Sequence, residues 1–176
     1  GFPLLVRRRD LAPNVDGAQL LGFNRVGGDD GRGGLDDARE HDGILLVVGD
    51  DLKDQPETFG SKAQLYIYVG AARTAAAQNA HFVLPATTFA EQEGTFVNAQ
   101  RRVQRFWPGL QPPANARPAW LVLGALAVAL ADRDASPPRT AAESFARLGS
   151  QADAFSGLDY EKLSEAGALL TDTATV

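Results

Sequence analysis

The chain has 176 residues, no cysteine and a formal net charge of −5. Without cysteine it can hold neither a disulfide scaffold nor a thiolate-ligated iron–sulfur or zinc site, and its acidic balance argues against a nucleic-acid binder. Only two histidines are present, too few for a histidine-rich metal site. The length fits one domain, or one domain with an appendage.

The start of the chain and its apolar stretches bear on its origin and on membranes. The chain opens with Gly-Phe-Pro and contains no methionine, which predicts an excised piece of a longer protein. The longest apolar stretch, residues 120–131, is shorter than the roughly 20 residues of a membrane-spanning helix. We therefore predict a buried helix there and no membrane span.

Apolar runs bounded by glycine or proline predict a parallel sheet. The continuous run Ile44–Val48 lies between two glycines, which is typical of a strand buried on both faces. Further strands are predicted at residues 65–69 and 82–84, joined by an alanine-rich helix at 72–79. Connections of this kind indicate right-handed βαβ units. A short strand at residues 4–6 and helices at 15–23 and 35–41 are also predicted.

The second half of the chain predicts a hairpin and a helical tail. Alternation at residues 95–98 and 102–106 indicates the hairpin. A proline-rich loop leads from it to the apolar helix, and residues 135–138 form a predicted linker before short helices at 140–148 and 159–166. The predicted fold is α/β, with a parallel dinucleotide-binding-like sheet, helices on both faces, a β-hairpin excursion and a short helical tail. The predicted units are residues 1–134 and 135–176.

The segment from residue 81 carries the most specific pattern. It reads His-Phe-Val-Leu-Pro, then Glu-Gln-Glu-Gly-Thr-Phe-Val-Asn, then Gln-Arg-Arg-Val-Gln-Arg-Phe. This resembles the molybdopterin oxidoreductase superfamily, whose members carry Ala-Asp-Val-Val-Leu-Pro and then Glu-x-x-Gly-Thr-x-x-Asn. The resemblance runs from about residue 11 to residue 167. Weaker matches follow the family order at Asn14-x-x-Gly17-Ala18, Val47-Val48-Gly49-Asp50, Ala116-Arg117-Pro118-x-Trp120 and residues 158–163.

Two subfamilies fit the resemblance, and we expect the first. It is the large iron–sulfur subunit of bacterial NADH–quinone oxidoreductase (respiratory complex I), in which this domain is a scaffold without the molybdenum cofactor. The alternative is the pterin-binding domain of a molybdenum or tungsten enzyme such as a formate dehydrogenase. A second alternative is a free-standing small-molecule-binding domain.

Departures from the family pattern favour the scaffold. Three acidic family positions correspond here to Arg73, His81 and Gln100, which suits a pocket that no longer holds a cofactor. The adjacent arginines 101 and 102 resemble the formate dehydrogenase version, whereas the Arg-Phe pair at 105 and 106 resembles complex I. The fragment is then expected to be non-catalytic itself.

The resemblance also implies a site, cofactors and partners. It suggests a pterin-binding surface, retained or vestigial, at Gly49, Asp50, Thr74, Asn98 and Arg102. No catalytic residue, metal ligand or resident cofactor is expected in this fragment, and the iron–sulfur clusters are expected elsewhere in the full-length protein. The implied partners are other subunits of a respiratory peripheral arm at the cytoplasmic face of the inner membrane, without nucleic acid.

Four other side chains are assigned structural roles. Glu91 and Glu93 are expected to bond loop amides ahead of the hairpin, because no histidine or nucleophile accompanies them in sequence. His81 is expected to be a hydrogen-bonded structural residue rather than a ligand. Trp120 is expected to pack the apolar helix onto the sheet, with its indole N–H donating to a loop carbonyl.

Overall fold

The computed structural model describes residues 14–23, 35–49, 52, 54–131 and 135–170. Two short helices, α1 (Val15–Leu20) and α2 (Leu35–Glu40), come first, close to the predicted ranges. The predicted strand at residues 4–6 and the candidate site residue Asp50 lie outside the described residues. No helix in the described ranges is long and apolar enough to cross a membrane.

The three predicted strands form the parallel sheet, which confirms the α/β class. They are β1 (Ile44–Val48), β2 (Leu65–Gly70) and β3 (Phe82–Pro85), arranged in the order β1-β2-β3 with both pairs parallel. Because β2 lies in the middle, it takes the most buried position. Its residues alternate toward two faces, and Tyr66 and Tyr68 are both fully buried on one of them.

The prediction that β1 is buried on both faces is wrong for the described structure. Leu45 and Val47 pack against the core, whereas Ile44, Leu46 and Val48 are 68%, 47% and 47% exposed. β1 is an edge strand of the described sheet, so only its core-facing side chains are covered. A continuous apolar run cannot distinguish a strand that is covered once from one that is covered twice.

The predicted helix at residues 72–79 is also wrong. A single 3₁₀ turn, Ala75–Ala77, stands in its place. The hydroxyls of two β2 tyrosines donate hydrogen bonds to carbonyls in this connection. Tyr66 Oη donates to Ala76 O at 2.5 Å, and Tyr68 Oη donates to Ala72 O at 3.2 Å. The alanine content favours a helix, but these tertiary hydrogen bonds hold the connection to β2 in a tighter form.

The predicted hairpin is confirmed and belongs to a separate antiparallel sheet. β4 (Gly94–Val97) pairs with β5 (Arg102–Phe106), which pairs in turn with β6 (Ala168–Leu169). The ring of Phe106 lies over Gly94, so that a Cβ at Gly94 would meet it at 2.8 Å. The close packing of Phe106 therefore favours glycine in the Glu-Gly-Thr segment.

Two further helices pack beside this hairpin. The apolar helix α3 spans Ala119–Ala131 and α4 spans Ala141–Gln151. Thr140 caps α4 by accepting a hydrogen bond from Glu143 N at 3.1 Å, as expected of an N-cap. No residue of α3 is buried, so the predicted burial of this helix is wrong, and the predicted helix at 159–166 is replaced by turns.

A second core cluster joins the hairpin to the C-terminal segment. It contains Val97 and Val103 from the hairpin together with Phe145, Phe155, Leu163 and Leu170. Residues on both sides of position 134 therefore share one cluster. The division into units 1–134 and 135–176 stays a prediction.

The Asn14-x-x-Gly17 spacing has a structural cause. Asn14 adopts the left-handed conformation, with φ 63°, at the start of α1, and its Oδ1 accepts a hydrogen bond from Val97 N at 2.8 Å. A Cβ at position 17 would lie 2.3 Å from Asn14 Oδ1. Glycine at that position leaves the space through which the amide reaches β4.

Replacing Asn14 with alanine should lower the free energy of unfolding by about 2 kcal/mol. About half of this loss comes from the Val97 N–H, which is left without its partner. The other half is the cost of the left-handed backbone for a residue other than glycine or asparagine. Asn14→Gly is the matched control, because glycine loses the same hydrogen bond but adopts the left-handed backbone without strain. A loss of about 1 kcal/mol is expected from the hydrogen bond, together with about 0.5 kcal/mol from the greater freedom of glycine in the unfolded chain. Chemical denaturation measures both, and equal losses would contradict the backbone contribution.

The buried Tyr66 phenol makes stability depend on pH. Burial, and secondarily the neighbouring Tyr68, raise the pKa of Tyr66 from 10.0 to about 12. A raised folded-state pKa gives stability that is complete below about pH 10 and is lost as pH rises toward about 12. Denaturation at about pH 9 and about pH 11 should therefore show a decline that is smaller in Tyr66→Phe. An equally steep decline in that variant would refute this assignment.

Candidate functional site

The carboxyl ends of the three parallel strands form an open edge. Gly49 follows β1 with φ 100° and donates its N–H to Val69 O at 2.9 Å. Among the described residues, nothing lies within 4 Å of where a Cβ would stand at Gly49. Ligands of open α/β sheets bind outside this end of the strands, so this edge is the part of the sheet best placed to receive a cofactor.

Thr74 lies in the loop that leaves the same edge after β2. Its Oγ1 is 3.1 Å from Tyr68 Oη, and Tyr68 Oη also donates to Ala72 O. The structure thus brings Gly49 and Thr74 to one edge of the sheet, while the hydroxyl of Thr74 is already engaged with a core tyrosine. Thr74 helps to shape the loop at this edge.

A cavity of about 340 Å³ opens at the carboxyl ends of β2 and β3. Its far wall is the proline-rich loop, which is tied to β3 because Arg117 N donates to Pro85 O at 3.1 Å and Thr87 N donates to Arg117 O at 3.1 Å. Among the described residues of the lining, Glu91 is the one charged side chain, and its Oε2 accepts from Thr88 N at 2.9 Å. The lining comprises Ala71, Pro85, Ala86, Thr88, Glu91, Pro113, Ala114, Asn115 and Ala116.

These residues fit a neutral heterocycle of the pterin type better than a phosphate group. Small side chains let a flat ring approach the backbone, and the Glu91 carboxylate can accept hydrogen bonds from amino and ring N–H groups. The lining residues that the structure describes include no arginine or lysine to face a phosphate. The volume is at the lower end of the roughly 300–1,000 Å³ of small-molecule sites, enough for the ring portion of a larger cofactor.

Asn98 and Arg102 lie elsewhere, on the antiparallel sheet. Asn98 Oδ1 accepts hydrogen bonds from Gln100 N and Arg102 N, each at 2.9 Å, so the amide closes the hairpin turn. The guanidinium of Arg102 donates to Gly167 O at 3.3 Å. Of the five predicted site residues, the four that the structure describes therefore do not form one cluster, and the side chains of Asn98 and Arg102 serve the chain's own structure.

The roles expected for Glu91 and His81 are confirmed, and Trp120 makes the expected hydrogen bond to a loop carbonyl. Glu91 bonds a loop amide as described above. His81 Nδ1 accepts from Tyr66 N at 2.9 Å, which fixes the ring beside the central strand. Trp120 Nε1 donates to Glu93 O at 3.2 Å. The role predicted for Glu93 is wrong in its partner, because its carboxylate binds the Arg105 guanidinium instead of a loop amide.

Arg105 is at the centre of a cluster that the sequence did not reveal. Its Nε donates to Glu93 Oε1 at 2.7 Å, and its guanidinium carbon lies 4.9 Å from the ring centroid of Trp107 and 4.4 Å from that of Tyr160. Burial, followed by the charge of Glu93, raises the pKa of Tyr160 to about 12. The cluster connects β5 to a C-terminal segment far away in the sequence, and no local pattern reports such a contact.

The residues that line the cavity were likewise not predicted from the sequence, although one signal for them was present. Thr88-x-x-Glu91 has the spacing of a capping box, which predicts that both side chains turn toward a short helix beside the sheet edge. The contribution of Asn115 and Ala116 arises from the return of the proline-rich loop to β3, and residue spacing does not encode that return.

Replacing Arg105 with lysine should lower the free energy of unfolding by about 1 kcal/mol. Lysine keeps the charge but loses the cation–π contacts of the guanidinium with two aromatic rings and its two N–H donors to Glu93 Oε1. Arg73→Lys is the control, because Arg73 is exposed, and it should be neutral within about 0.5 kcal/mol. Thermal or chemical denaturation measures the stability of both variants. An Arg105→Lys variant of unchanged stability would contradict the role assigned to the guanidinium.

Comparison with known proteins identifies relatives over half of the chain. The alpha subunit of F420-dependent formate dehydrogenase 2 from Methanococcus maripaludis is 34% identical over 90 residues, which are 51% of this chain and 13% of that subunit. A Staphylococcus aureus (strain MRSA252) protein that carries a formate dehydrogenase name is 35% identical over 91 residues, which are 51% of this chain and 9% of that protein. The chain therefore spans only a small part of the curated relatives it matches.

A family-level match covers the parallel sheet, the cavity and the hairpin. The sequence profile of the family described as Molybdopterin oxidoreductase matches residues 36–129. These residues include every strand from β1 to β5, the loops at the carboxyl edge and most of α3. Since the match extends over more than half of the chain, the chain belongs to the molybdopterin oxidoreductase family.

Proposed function

We propose that this chain is the part of a molybdenum or tungsten oxidoreductase, similar to formate dehydrogenases, that receives the ring portion of the pterin cofactor. The observation that carries the proposal is the 34% and 35% identity to proteins named as formate dehydrogenases. This favours the formate dehydrogenase alternative over the complex I expectation. The open carboxyl edge beside Gly49 supports it, because such an edge is where α/β sheets receive ligands.

Within this proposal, the chain's residues bind and orient the cofactor. Glu91 accepts hydrogen bonds from the heterocycle, and Ala71 and Ala86 let the ring approach the strand ends. Thr88 is held in place because its N–H donates to Glu91. When bound, the pterin and its metal supply the redox chemistry.

Electron transfer away from this site needs groups from outside the chain. The chain has no cysteine, so iron–sulfur clusters would have to be ligated by other parts of the full-length protein. We propose that other subunits of an oxidoreductase complex, on the cytoplasmic side of the membrane, contact this part of the protein.

A second candidate is the cofactor-free scaffold of complex I. It is favoured by the hairpin, where the Asn98 amide is used to close the turn and the Arg102 guanidinium donates to the chain's own carbonyl at Gly167. Two side chains expected near the pterin are thus engaged in internal hydrogen bonds, as a scaffold would require. This candidate predicts that the native protein contains iron but no molybdenum, tungsten or pterin.

A substitution that fills the cavity should abolish cofactor retention. Asn115 lines the cavity and is exposed, so Asn115→Trp should occupy the space of the ring without disturbing the core. The measurements are the pterin content of the native full-length protein and its formate-dependent reduction of a dye. Both should fall at least about tenfold, which corresponds to a loss of about 1.4 kcal/mol in the binding free energy of the cofactor.

Gln111→Trp is the matched control. Gln111 is exposed in the same proline-rich loop but does not line the cavity, so its variant should retain pterin and activity. Equal retention in both variants would show that the cofactor does not occupy this edge. Retention of pterin without formate-dependent activity in the unmodified protein would exclude formate as the substrate.

A further inference from the structure

A second, larger cavity lies against the antiparallel sheet, away from the carboxyl edge described above. It is an open groove of about 740 Å³ between the hairpin, α3 and α4, within the size range of small-molecule sites. Its walls are mostly apolar. They include Gly94, Phe106, Trp120, Leu123, Phe145 and Tyr160.

The free edge of β4 borders this groove. Within the described part of the antiparallel sheet, β4 is an edge strand, and it pairs with β5 so that Asn98 N donates to Arg102 O at 3.0 Å. In an antiparallel ladder, main-chain groups alternate between facing the partner strand and facing away from it. The N–H and C=O groups of Glu93, Thr95 and Val97 therefore point away from β5, along the free edge.

Two side chains cap this edge on either side of Thr95. Trp120 Nε1 donates to Glu93 O at 3.2 Å, and Asn14 Oδ1 accepts from Val97 N at 2.8 Å. Within the described ranges, no hydrogen bond reaches the outward N–H or C=O of Thr95. Thr95 thus presents one donor and one acceptor, side by side, between the two caps.

We propose that the groove binds a planar lactam, a flat ring that carries an N–H donor next to a carbonyl acceptor. The ring N–H would donate to Thr95 O and the ring carbonyl would accept from Thr95 N. The apolar walls would cover the faces of the ring, which suits a largely hydrophobic heterocycle. This site is independent of the proposed cofactor edge, because it is formed by the antiparallel sheet, α3 and α4.

The two caps explain why the occupant is a small ring and not an added polypeptide strand. A strand that extends the sheet uses outward groups of successive alternate residues. Here the neighbouring groups, Glu93 C=O and Val97 N–H, already have partners, so only the pair at Thr95 remains between them. One donor and one acceptor match one amide unit.

The test compares isoquinolinone with N-methylisoquinolinone by NMR, using the full chain labelled with nitrogen-15 on its amides. Isoquinolinone should bind and shift the Thr95 amide signal. The methylated compound keeps the ring and the carbonyl but lacks the N–H donor. It should therefore bind about tenfold more weakly, which is the loss expected from one missing hydrogen bond. Equal affinity of the two compounds, or no shift at Thr95, would overturn the proposal.

Two substitutions on α3 locate the bound ring. Ala127 and Ala129 are both exposed, but only Ala127 lines the groove. Ala127→Glu should abolish isoquinolinone binding because the longer charged side chain enters the groove, whereas Ala129→Glu should leave the affinity unchanged. An equal effect of the two substitutions would place the compound elsewhere and overturn the proposal, and the compound pair tests it without any variant.

Discussion

The parallel pairing of β2 with both of its neighbours is the constraint on which the rest of the structure depends. β2 carries the two fully buried tyrosines, and each of them extends a hydroxyl into the connection that leads to β3. With these hydrogen bonds, the connection forms a single 3₁₀ turn instead of a helix, and the loop that bears Thr74 is held in place. The position of the carboxyl edge, and hence of the candidate cofactor cavity, follows from this arrangement.

The hairpin is held by side chains that reach it from distant parts of the chain. Glu93 connects three elements, because its carboxylate binds Arg105 and its carbonyl accepts from Trp120. Asn14 holds the other end of β4 from α1, and Tyr160 stacks on Arg105 from the C-terminal segment. The family pattern around the hairpin thus includes residues that fasten it in place, whatever ligand the protein binds.

The sequence predicted the three parallel strands well, because each is a short apolar run that ends at a glycine or a proline. It failed where tertiary contacts override local preference. Alanine richness predicted a helix after β2, but the tyrosine hydroxyls bind its carbonyls. The apolar run of β1 predicted two-sided burial, yet Ile44 is 68% exposed. Whether a face of a strand is covered depends on which elements pack there, and a run of apolar residues carries no such information.

For the candidate site, the sequence indicated a position but not the residues of the cavity. The resemblance to the family pointed to the end of β1, where Gly49 has an open approach among the described residues. Asn115 lines the cavity only because the proline-rich loop returns to pair with β3.

The measurement that tests the central claim most directly is the molybdenum, tungsten and pterin content of the native full-length protein. Our account predicts molybdenum or tungsten in stoichiometric amount together with pterin. A protein that contains iron but no molybdenum, tungsten or pterin, and that co-purifies with a flavin-containing NADH dehydrogenase, would contradict our account and support the scaffold of complex I instead.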